Sequence, residues 1–365
     1  MADVTLPTGS YDYSTLETKY QAFMAPTGKV KFNGNDAGAM AIASIRIQMS
    51  AANDADTATI LITDAFDLVE RQFKWIDSSI KIGSTVEIEM GYVDKLTALF
   101  YGHITSIQYQ FTSEGTPSLV VTAMDISFKM MRGQKSRLWN NKKISDVVTE
   151  IAQEYGISSS TVDATTEQHA VLAKGRESDY RFIQNLALGL NYEFFFVGKK
   201  MYFRKKMSDK SPTVTLSYMK NLTQLQLEHN LAEQVSEVEV RGWNVKEQKE
   251  ITGKSGTIHK SGSGQKTGKD LLQAMGGVYT EVIYANPPSV AEANKIAEAI
   301  LNERALKLVS GEGECVGLPE IRAGRFIKFD GLSKELNLAY YVTRAVHMLD
   351  SNGYRTLFQI QGNVV

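Results

Sequence analysis

Two stretches of this chain, far apart in sequence, carry the same strand pattern. When Gly83 is laid on Gly324, Ser84-Thr-Val-Glu-Ile-Glu89 falls over Arg325-Phe-Ile-Lys-Phe-Asp330, with Val86 on Ile327 and Ile88 on Phe329. Continued without a gap, the alignment sets Phe100, Tyr101, Ile104 and Ile107 on Tyr341, Val342, Ala345 and Met348. A following turn three residues shorter in the second copy then brings Gly115 to Gly353 and Leu119 to Leu357. Each copy reads strand, loop, strand, turn, strand. Any two β meanders share period-two alternation, so the ungapped stretch and the matched turn glycine are what favour a duplication. At 365 residues there is too much chain for one small core, and two or three folded units are expected.

The texture between the copies differs. Residues 1–28 are polar with scattered aromatics and read as an N-terminal arm. Alternating and β-branched runs with glycine turns make 29–135 a small β-barrel or sandwich. Ile144, Val147, Val148, Ile151, Ala152 and Tyr155 then share one helical face, with Gly156 as the stop. Ser178 can cap a second helix bearing Phe182, Ile183, Leu186 and Leu190, and Tyr192–Val197 with Lys200–Phe203 reads as a hairpin. These elements make 136–211 a small α/β domain. Residues 212–260 and 312–365 are expected to form a second, discontinuous barrel. The 261–311 insertion holds a flexible glycine-rich loop and a helix announced by Ser289 and Glu292 as a capping box and closed by Gly311 and Gly313. The fold class expected is α+β, mainly β: two similar small barrels, an α/β domain between them, and a helix-containing insertion in the second.

Composition narrows the partners. Lys+Arg at 40 against Asp+Glu at 41 leaves no global field to draw the chain to nucleic acid or an anionic membrane. A single cysteine, Cys315, excludes an internal disulfide framework and a thiolate zinc site within one chain. No basic leader opens the sequence and no apolar run is long enough for a membrane helix, so a chain made and kept in a cytoplasm, without membrane insertion, is expected.

Phe100-Tyr-Gly-His-Ile-Thr-Ser-Ile107 followed by Ala123-Met-Asp-Ile-Ser-Phe-Lys-Met-Met-Arg-Gly133 resembles the first barrel of the phage late control D family, the tail hubs of contractile phages and phage-like injection systems. Three further segments in family order are similar to it. They are Ile144-Ser-Asp-Val-Val148, Glu177-Ser-Asp-Tyr-Arg-Phe-Ile-Gln-Asn-Leu-Ala187 leading to Tyr192-Glu-Phe-Phe-Phe196, and Leu318-Pro-Glu-Ile-Arg-Ala-Gly-Arg325 with Tyr340-Tyr-Val-Thr-Arg344. The resemblance covers about residues 80–365 and implies a baseplate hub: a homotrimer whose six barrel positions surround a channel, adapting a hexameric tail tube to a trimeric spike. Cyclic closure of three chains needs contacts between unlike surfaces, which two related but non-identical barrels can provide. The VgrG proteins of type VI secretion continue into a further barrel and a needle, whereas this sequence ends at Gly362-Asn-Val-Val365, so a separate spike protein is expected. The resemblance also implies tail tube and other baseplate proteins as partners, translocated DNA or an effector in the channel, and a place in the virion tail or injection particle, assembled in the bacterial host cytoplasm. Subunit contacts are expected at Val86, Ile88, Ile327 and Phe329.

No enzymatic chemistry is expected. Gly262 and Gly268 are separated by five residues and Asp270 follows Lys269, which is not the spacing of a phosphate loop. His103, His169, His229, His259 and His347 are scattered, with no HExxH, so neither metal nor cofactor is expected within one chain; a trimer axis could still gather three equivalent histidines. No Gly-x-Ser-x-Gly elbow is present, and Cys315 at the start of a strand reads as a small buried hydrophobe. Carboxylate pairing in space leaves a tail-tip peptidoglycan hydrolase as the enzymatic alternative, and a distal-tail adhesion module of a non-contractile phage as the other. The basic residues Lys199, Lys200, Arg204, Lys205 and Lys206, and the lysines from Lys246 to Lys269, read as solvated surface, or as phosphate contacts if they line a channel. Phe194-Phe195-Phe196 places bulk on both faces of a strand, covered either within the α/β domain or by a neighbouring chain.

Overall fold

The computed structural model describes residues 3–51, 54–76, 78–113, 115–244, 248–262 and 266–365. The chain is mainly β with few helices. Its first helix, α1 (Tyr13–Lys19), is opened by Asp12, whose carboxylate accepts from Thr15 N at 2.8 Å. Residues 1–28 were expected to be an arm, yet Leu16 and Tyr20 are fully buried and Tyr11 N donates to Thr213 O at 2.9 Å. A helix of two turns is too short to show a period in the sequence.

Six main strands follow, interspersed with two-residue strands at Asn35–Asp36, which pairs with the first of them, Phe66–Asp67 and Gln72–Phe73: β1 (Pro26–Phe32), β2 (Ala41–Ser50), β3 (Thr57–Thr63), β4 (Thr85–Tyr92), β5 (Lys95–Gln110) and β6 (Ser118–Met124). They lie in the order β1-β4-β5-β6-β3-β2. Each alternates buried apolar and partly exposed residues, as in Val86, Ile88 and Met90 of β4.

The middle of the chain pairs β7 (Arg137–Lys143) with β9 (Gln168–Lys174), and β8 (Ser159–Val162), β10 (Tyr192–Val197) and β11 (Lys200–Lys205) form a three-stranded sheet. Helices α2 (Ile144–Glu154) and α3 (Asp179–Gly189) bury Val147, Val148, Ile151, Phe182 and Ile183 in the same cluster as Phe194 and Phe196. Ser178 caps α3 through Arg181 N at 3.2 Å, as the sequence implied.

The second unit begins with β12 (Pro212–Ser217) and β13 (Leu222–His229). The chain then leaves it for β14 (Glu237–Asn244), β15 (Lys249–Ser255), the short helix α4 (Gly268–Ala274), β16 (Thr280–Tyr284) and α5 (Val290–Ala305). It returns with β17 (Val309–Val316), β18 (Phe326–Asp330), β19 (Ala339–Asp350) and β20 (Gly353–Gly362). The strand order is β12-β18-β19-β20-β17-β13, so both units follow the same path: first, fourth, fifth, sixth, third and second strand. They differ at one joint, β1 running antiparallel to β4 while β12 runs parallel to β18. The edge of β19 pairs Arg344–Leu349 with Ser50–Ile45 of β2, which fuses the units into one 13-stranded sheet over one continuous core.

Pairing within the units corrects the alignment of the copies. Register shifts fall between Ile104 and Ser106 in β5 and between Val342 and Arg344 in β19, each placing a threonine at a bulge. Thr105 Oγ1 donates to Thr122 O at 3.3 Å and Thr343 Oγ1 to Gln359 O at 3.2 Å. Gly83 N donates to Ile104 O at 2.8 Å and Gly324 N to Val342 O at 2.9 Å, with return bonds from Ile104 N to Ser84 O and from Val342 N to Arg325 O, both at 2.8 Å. Ile104 therefore corresponds to Val342, not Ala345. The three-residue shortening precedes the second strand instead of following it, because a bulge resets the face on which every later side chain points. Gly83 and Gly324 share the same requirement, with φ of 88° and 85°, a left-handed backbone that disfavours a side chain.

Two further expectations change. Strands β14 and β15, assigned by sequence to 212–260 of the second barrel, pair with β16 in a sheet of their own packed on α5. Alternation reports a strand but not its sheet. Gly311 and Gly313 do not close the helix, which ends at Ala305; they lie inside β17, where an added Cβ would meet Gln226 O at 2.6 Å and Phe358 at 2.6 Å. Cys315 is accordingly near the end of a strand, buried, its thiol pushed up by desolvation. The glycine-rich loop lies partly outside the described residues. Its flanks are ordered: Thr267 and Asp270 form a capping box at α4, and Lys266 and Val365 exchange backbone hydrogen bonds at 3.1 and 2.9 Å.

Candidate functional site

The eight residues Leu318–Arg325 form a loop that is buried along its whole length although it carries three charges. Such charges persist in a core only when each is paired and hydrogen-bonded. Arg322 reaches the first unit and the α/β domain together. Its Nη2 lies 2.5 Å from Asp56 Oδ2 and 3.4 Å from Phe196 O, and its Nη1 donates to Leu99 O at 3.1 Å. Asp56 is itself fixed by Ser50 N at 3.0 Å, and its backbone N donates to Asp125 Oδ2 at 2.8 Å. Asp125 also accepts from Ser127 N at 2.8 Å, capping the turn after β6.

One guanidinium thus shares a dry site with two carboxylates. Burial raises the pKa of both acids, Asp56 to about 7, while the Arg322 charge pulls the other way. The node holds a proton at pH values where a solvated aspartate has lost it.

A second node adjoins the first. Glu193 of β10 pairs with Arg204 Nε of β11 at 2.6 Å and accepts from the Tyr341 hydroxyl, and Arg204 Nη2 donates to Gly324 O at 2.9 Å. Burial pushes the Glu193 carboxyl up and the Tyr341 hydroxyl well up. Glu320 accepts from Lys19 Nζ at 2.6 Å and from the Tyr20 hydroxyl at 2.7 Å, tying down α1, and Arg325 pairs with Asp209. His347 lies beneath the loop, its Nε2 3.0 Å from Ile321 O and its Nδ1 2.9 Å from the Tyr354 hydroxyl, with its pKa driven down to about 3 by burial. The N-terminal helix, both β units and the α/β domain therefore all attach to this one loop. Chemically the arrangement is a lock: its ion pairs and hydrogen bonds run to one another and to backbone, leaving Glu320 Oε2 and Arg325 Nε buried without a partner.

The expected contact residues Val86, Ile88, Ile327 and Phe329 are all 0% exposed within the single chain. Their side chains have no surface to offer a second copy, because the alternation that made them stand out is the alternation of a core face. The same strands present Glu87 and Glu89, half-buried, and Lys328 and Asp330, exposed, on the other face. Phe194–Phe196 is covered on both sides within the chain: Phe194 and Phe196 face the helices, and Phe195 packs with Val4, Leu6 and Tyr202, stacking on the last at 5.2 Å. Lys199 Nζ sits 4.5 Å from the centre of the Tyr101 ring.

The histidines remain dispersed, but His169 has company that spacing along the chain conceals. Its Nδ1 is 3.8 Å from Glu292 Oε2, and Glu167 completes a group whose ligand atoms lie within 4.8 Å of one another. Sequence reasoning missed Asp56, Asp125, Glu193 and Arg322, and it read Arg204 as solvated surface, whereas Arg204 is buried in its pair with Glu193. The available signal was charge in apolar surroundings, as with the glutamate of Tyr192-Glu-Phe-Phe-Phe-Val197.

Residues 24–351 match the model of the family described as the Alg8 N-terminal domain. The chain belongs to that family. The Alg8 N-terminal domain is not the family named from the motifs, late control D. No curated protein sequence matches this member of the Alg8 N-terminal domain family. Among solved structures, it is similar to the 43 kDa tail protein of prophage MuSo2 from Shewanella oneidensis, at 12% identity and a TM-score of 0.71, covering 92% of this chain and 98% of that one. A tail protein from Neisseria meningitidis MC58 gives 12% identity and a TM-score of 0.67, covering 92% and 96%. The E. coli c3393 protein, a component of the type VI secretion system, gives 11% and 0.60, covering 92% and 76%. The Alg8 N-terminal domain thus has the fold of these tail and secretion-system proteins.

Proposed function

We propose that this chain is a structural baseplate hub of a contractile tail or phage-like injection system, without turnover. Three copies form a ring in which each six-stranded unit closes as a small barrel, so six barrels surround a channel. The ring joins a hexameric tail tube to a trimeric spike, supplied as a separate protein, with other baseplate proteins around it and DNA or an effector passing through. The single observation that carries this reading is the second unit's repetition of the first, in strand order and in the threonine bulge of the fifth strand, in a chain with a tail-protein fold. Two equivalent units per chain let threefold symmetry present six similar faces.

Within this reading the domains are a first barrel from Pro26, an α/β domain, and a second barrel interrupted between His229 and Val309. The buried Leu318–Arg325 lock keeps the two barrels at a fixed angle, which a ring needs. Subunit contacts belong to the outward side chains of the paired strands. Glu87 and Lys328 occupy corresponding positions with opposite charge, which suits a contact between unlike faces of adjacent copies.

Light scattering on the purified chain across a concentration series, followed by reconstruction of the particle, tests the proposal. A trimer lying beneath the tube, with barrels alternating around the axis, is expected. A stable monomer at high concentration with no density in that place refutes it.

A further inference from the structure

We propose that Glu167, His169 and Glu292 form a divalent-cation site, best matched to Zn2+, that fastens helix α5 of the insertion to the α/β domain. Glu167 and His169 stand two residues apart and Glu292 comes from a distant segment, yet their ligand atoms lie within 4.8 Å of one another. Bonds of about 2.0–2.2 Å to a tetrahedral ion would set such atoms roughly 3.3–3.6 Å apart, so closing on a cation needs only small side-chain rotations.

Direct pairing does not explain the arrangement. His169 Nδ1 and Glu292 Oε2 stand 3.8 Å apart, beyond hydrogen-bond reach. The contrast is His259, whose Nε2 lies 2.6 Å from Glu298 Oε1 in an exposed pair that is already closed. Glu292 also departs from the role its position predicts. Its backbone N is capped by Ser289 Oγ at 3.2 Å, but its carboxylate faces His169 instead of returning to the Ser289 backbone.

The setting favours a bound ion. The three residues line a cavity of ≈ 210 Å³ whose walls include Ile144, Leu190 and Ile296. Glu167 immediately precedes β9, His169 is its second residue and is paired with Lys142 of β7, and Glu292 lies in the first turn of α5. Lys295 Nζ holds Glu167 Oε1 at 2.9 Å, offsetting part of the negative charge and orienting the other oxygen. One imidazole nitrogen with two carboxylates suits Zn2+ better than Mg2+, and a water would complete the coordination.

The full chain, stripped with EDTA, is titrated calorimetrically with ZnCl2, and in parallel with MnCl2 and MgCl2. A single Zn2+ per chain is expected, bound more tightly than Mn2+ or Mg2+ and raising the melting temperature. Since losing even an outer partner of a metal ligand weakens binding roughly 10–100-fold, His169→Ala and Glu292→Gln should each cost at least tenfold in Kd. His259→Ala should leave Kd unchanged. Should His169→Ala fail to fold by circular dichroism, the near-isosteric Glu292→Gln carries the test. Absence of stoichiometric Zn2+, or binding indifferent to Glu292→Gln, overturns the proposal.

Discussion

Replacing Arg322 with methionine keeps the volume of the side chain and removes its charge. Asp56 and Asp125 would then remain buried, the Asp56 backbone N still donating to Asp125 Oδ2 at 2.8 Å, without the guanidinium that offsets their charge. The carbonyls of Leu99 and Phe196 would lose their donor as well. Deleting one partner of a buried ion pair costs about 3–5 kcal/mol, because the other partner's desolvation is no longer offset. That is a large share of the roughly 5–15 kcal/mol that holds a typical domain. Urea titration followed by fluorescence and circular dichroism measures the loss, the two probes also showing whether the transition is two-state. Without the Arg322 charge the Asp56 carboxyl rises above the value of about 7 it has beside it, so the penalty should be largest in alkaline buffer and shrink as pH falls through neutral and the orphaned carboxyls take up protons. It should also shrink in Arg322→Met/Asp56→Asn, which removes one of the unmatched charges. A loss under about 1 kcal/mol in alkaline buffer, or a double variant as damaged there as the single, would show that the node contributes little and that loop packing alone holds the units together.

In the intact chain, Asp56 has a folded pKa of about 7 against an ordinary value of 3.8, so folding takes up a proton between these limits and this term of stability declines as pH rises through that window; Asp56→Asn should flatten the slope of urea midpoint against pH. His347 works in the opposite sense: depressed from 6.5 to about 3, it stays neutral in the fold, so its stability is present above the ordinary value and lost as pH falls toward 3, a loss that His347→Gln should remove from an acid titration. Gly324→Ala should destabilise more than Gly83→Ala, since both strain a left-handed backbone by about 1 kcal/mol but only at Gly324 does the new methyl meet a ring, Phe195 at 3.1 Å; equal melting temperatures would contradict this. Lys328→Glu should weaken self-association in sedimentation, and adding Glu87→Lys in the same chain should restore it; no change in either variant removes these strands from the interface.

Much of the β architecture was legible because a half-buried strand writes its buried face as alternation, and the same alternation appeared twice. The helices were legible where they are long and capped, as at Ser178 and at Ile144–Tyr155. What failed is what alternation does not encode. It could not assign β14 and β15 to a sheet, because partner choice depends on contacts with α5, about fifty residues later. It could not place the bulges, so the copies were aligned out of step after Ile88. It also nominated Val86, Ile88, Ile327 and Phe329 as contact residues, although a regular apolar pattern marks the inside of a unit. The electrostatic lock left only isolated charges in apolar text, and no spacing rule joins Asp56 to Arg322.

The two units diverge in an ordered way. Interior devices are retained: the left-handed glycine before the fourth strand, its exchange of backbone bonds with the fifth, and the bulging threonine whose hydroxyl spans to the sixth. These set strand register, and a change in register would turn every later side chain to the wrong face. Exterior features are free to differ, and they do: Glu87 against Lys328, an antiparallel first strand against a parallel one, and second and third strands close in sequence against an excursion of two helices and three strands between them. A ring of identical faces would gain nothing from that divergence. One in which each unit must bind an unlike neighbour requires it, and so the differences between the copies, more than their likeness, are what the hub proposal has to explain.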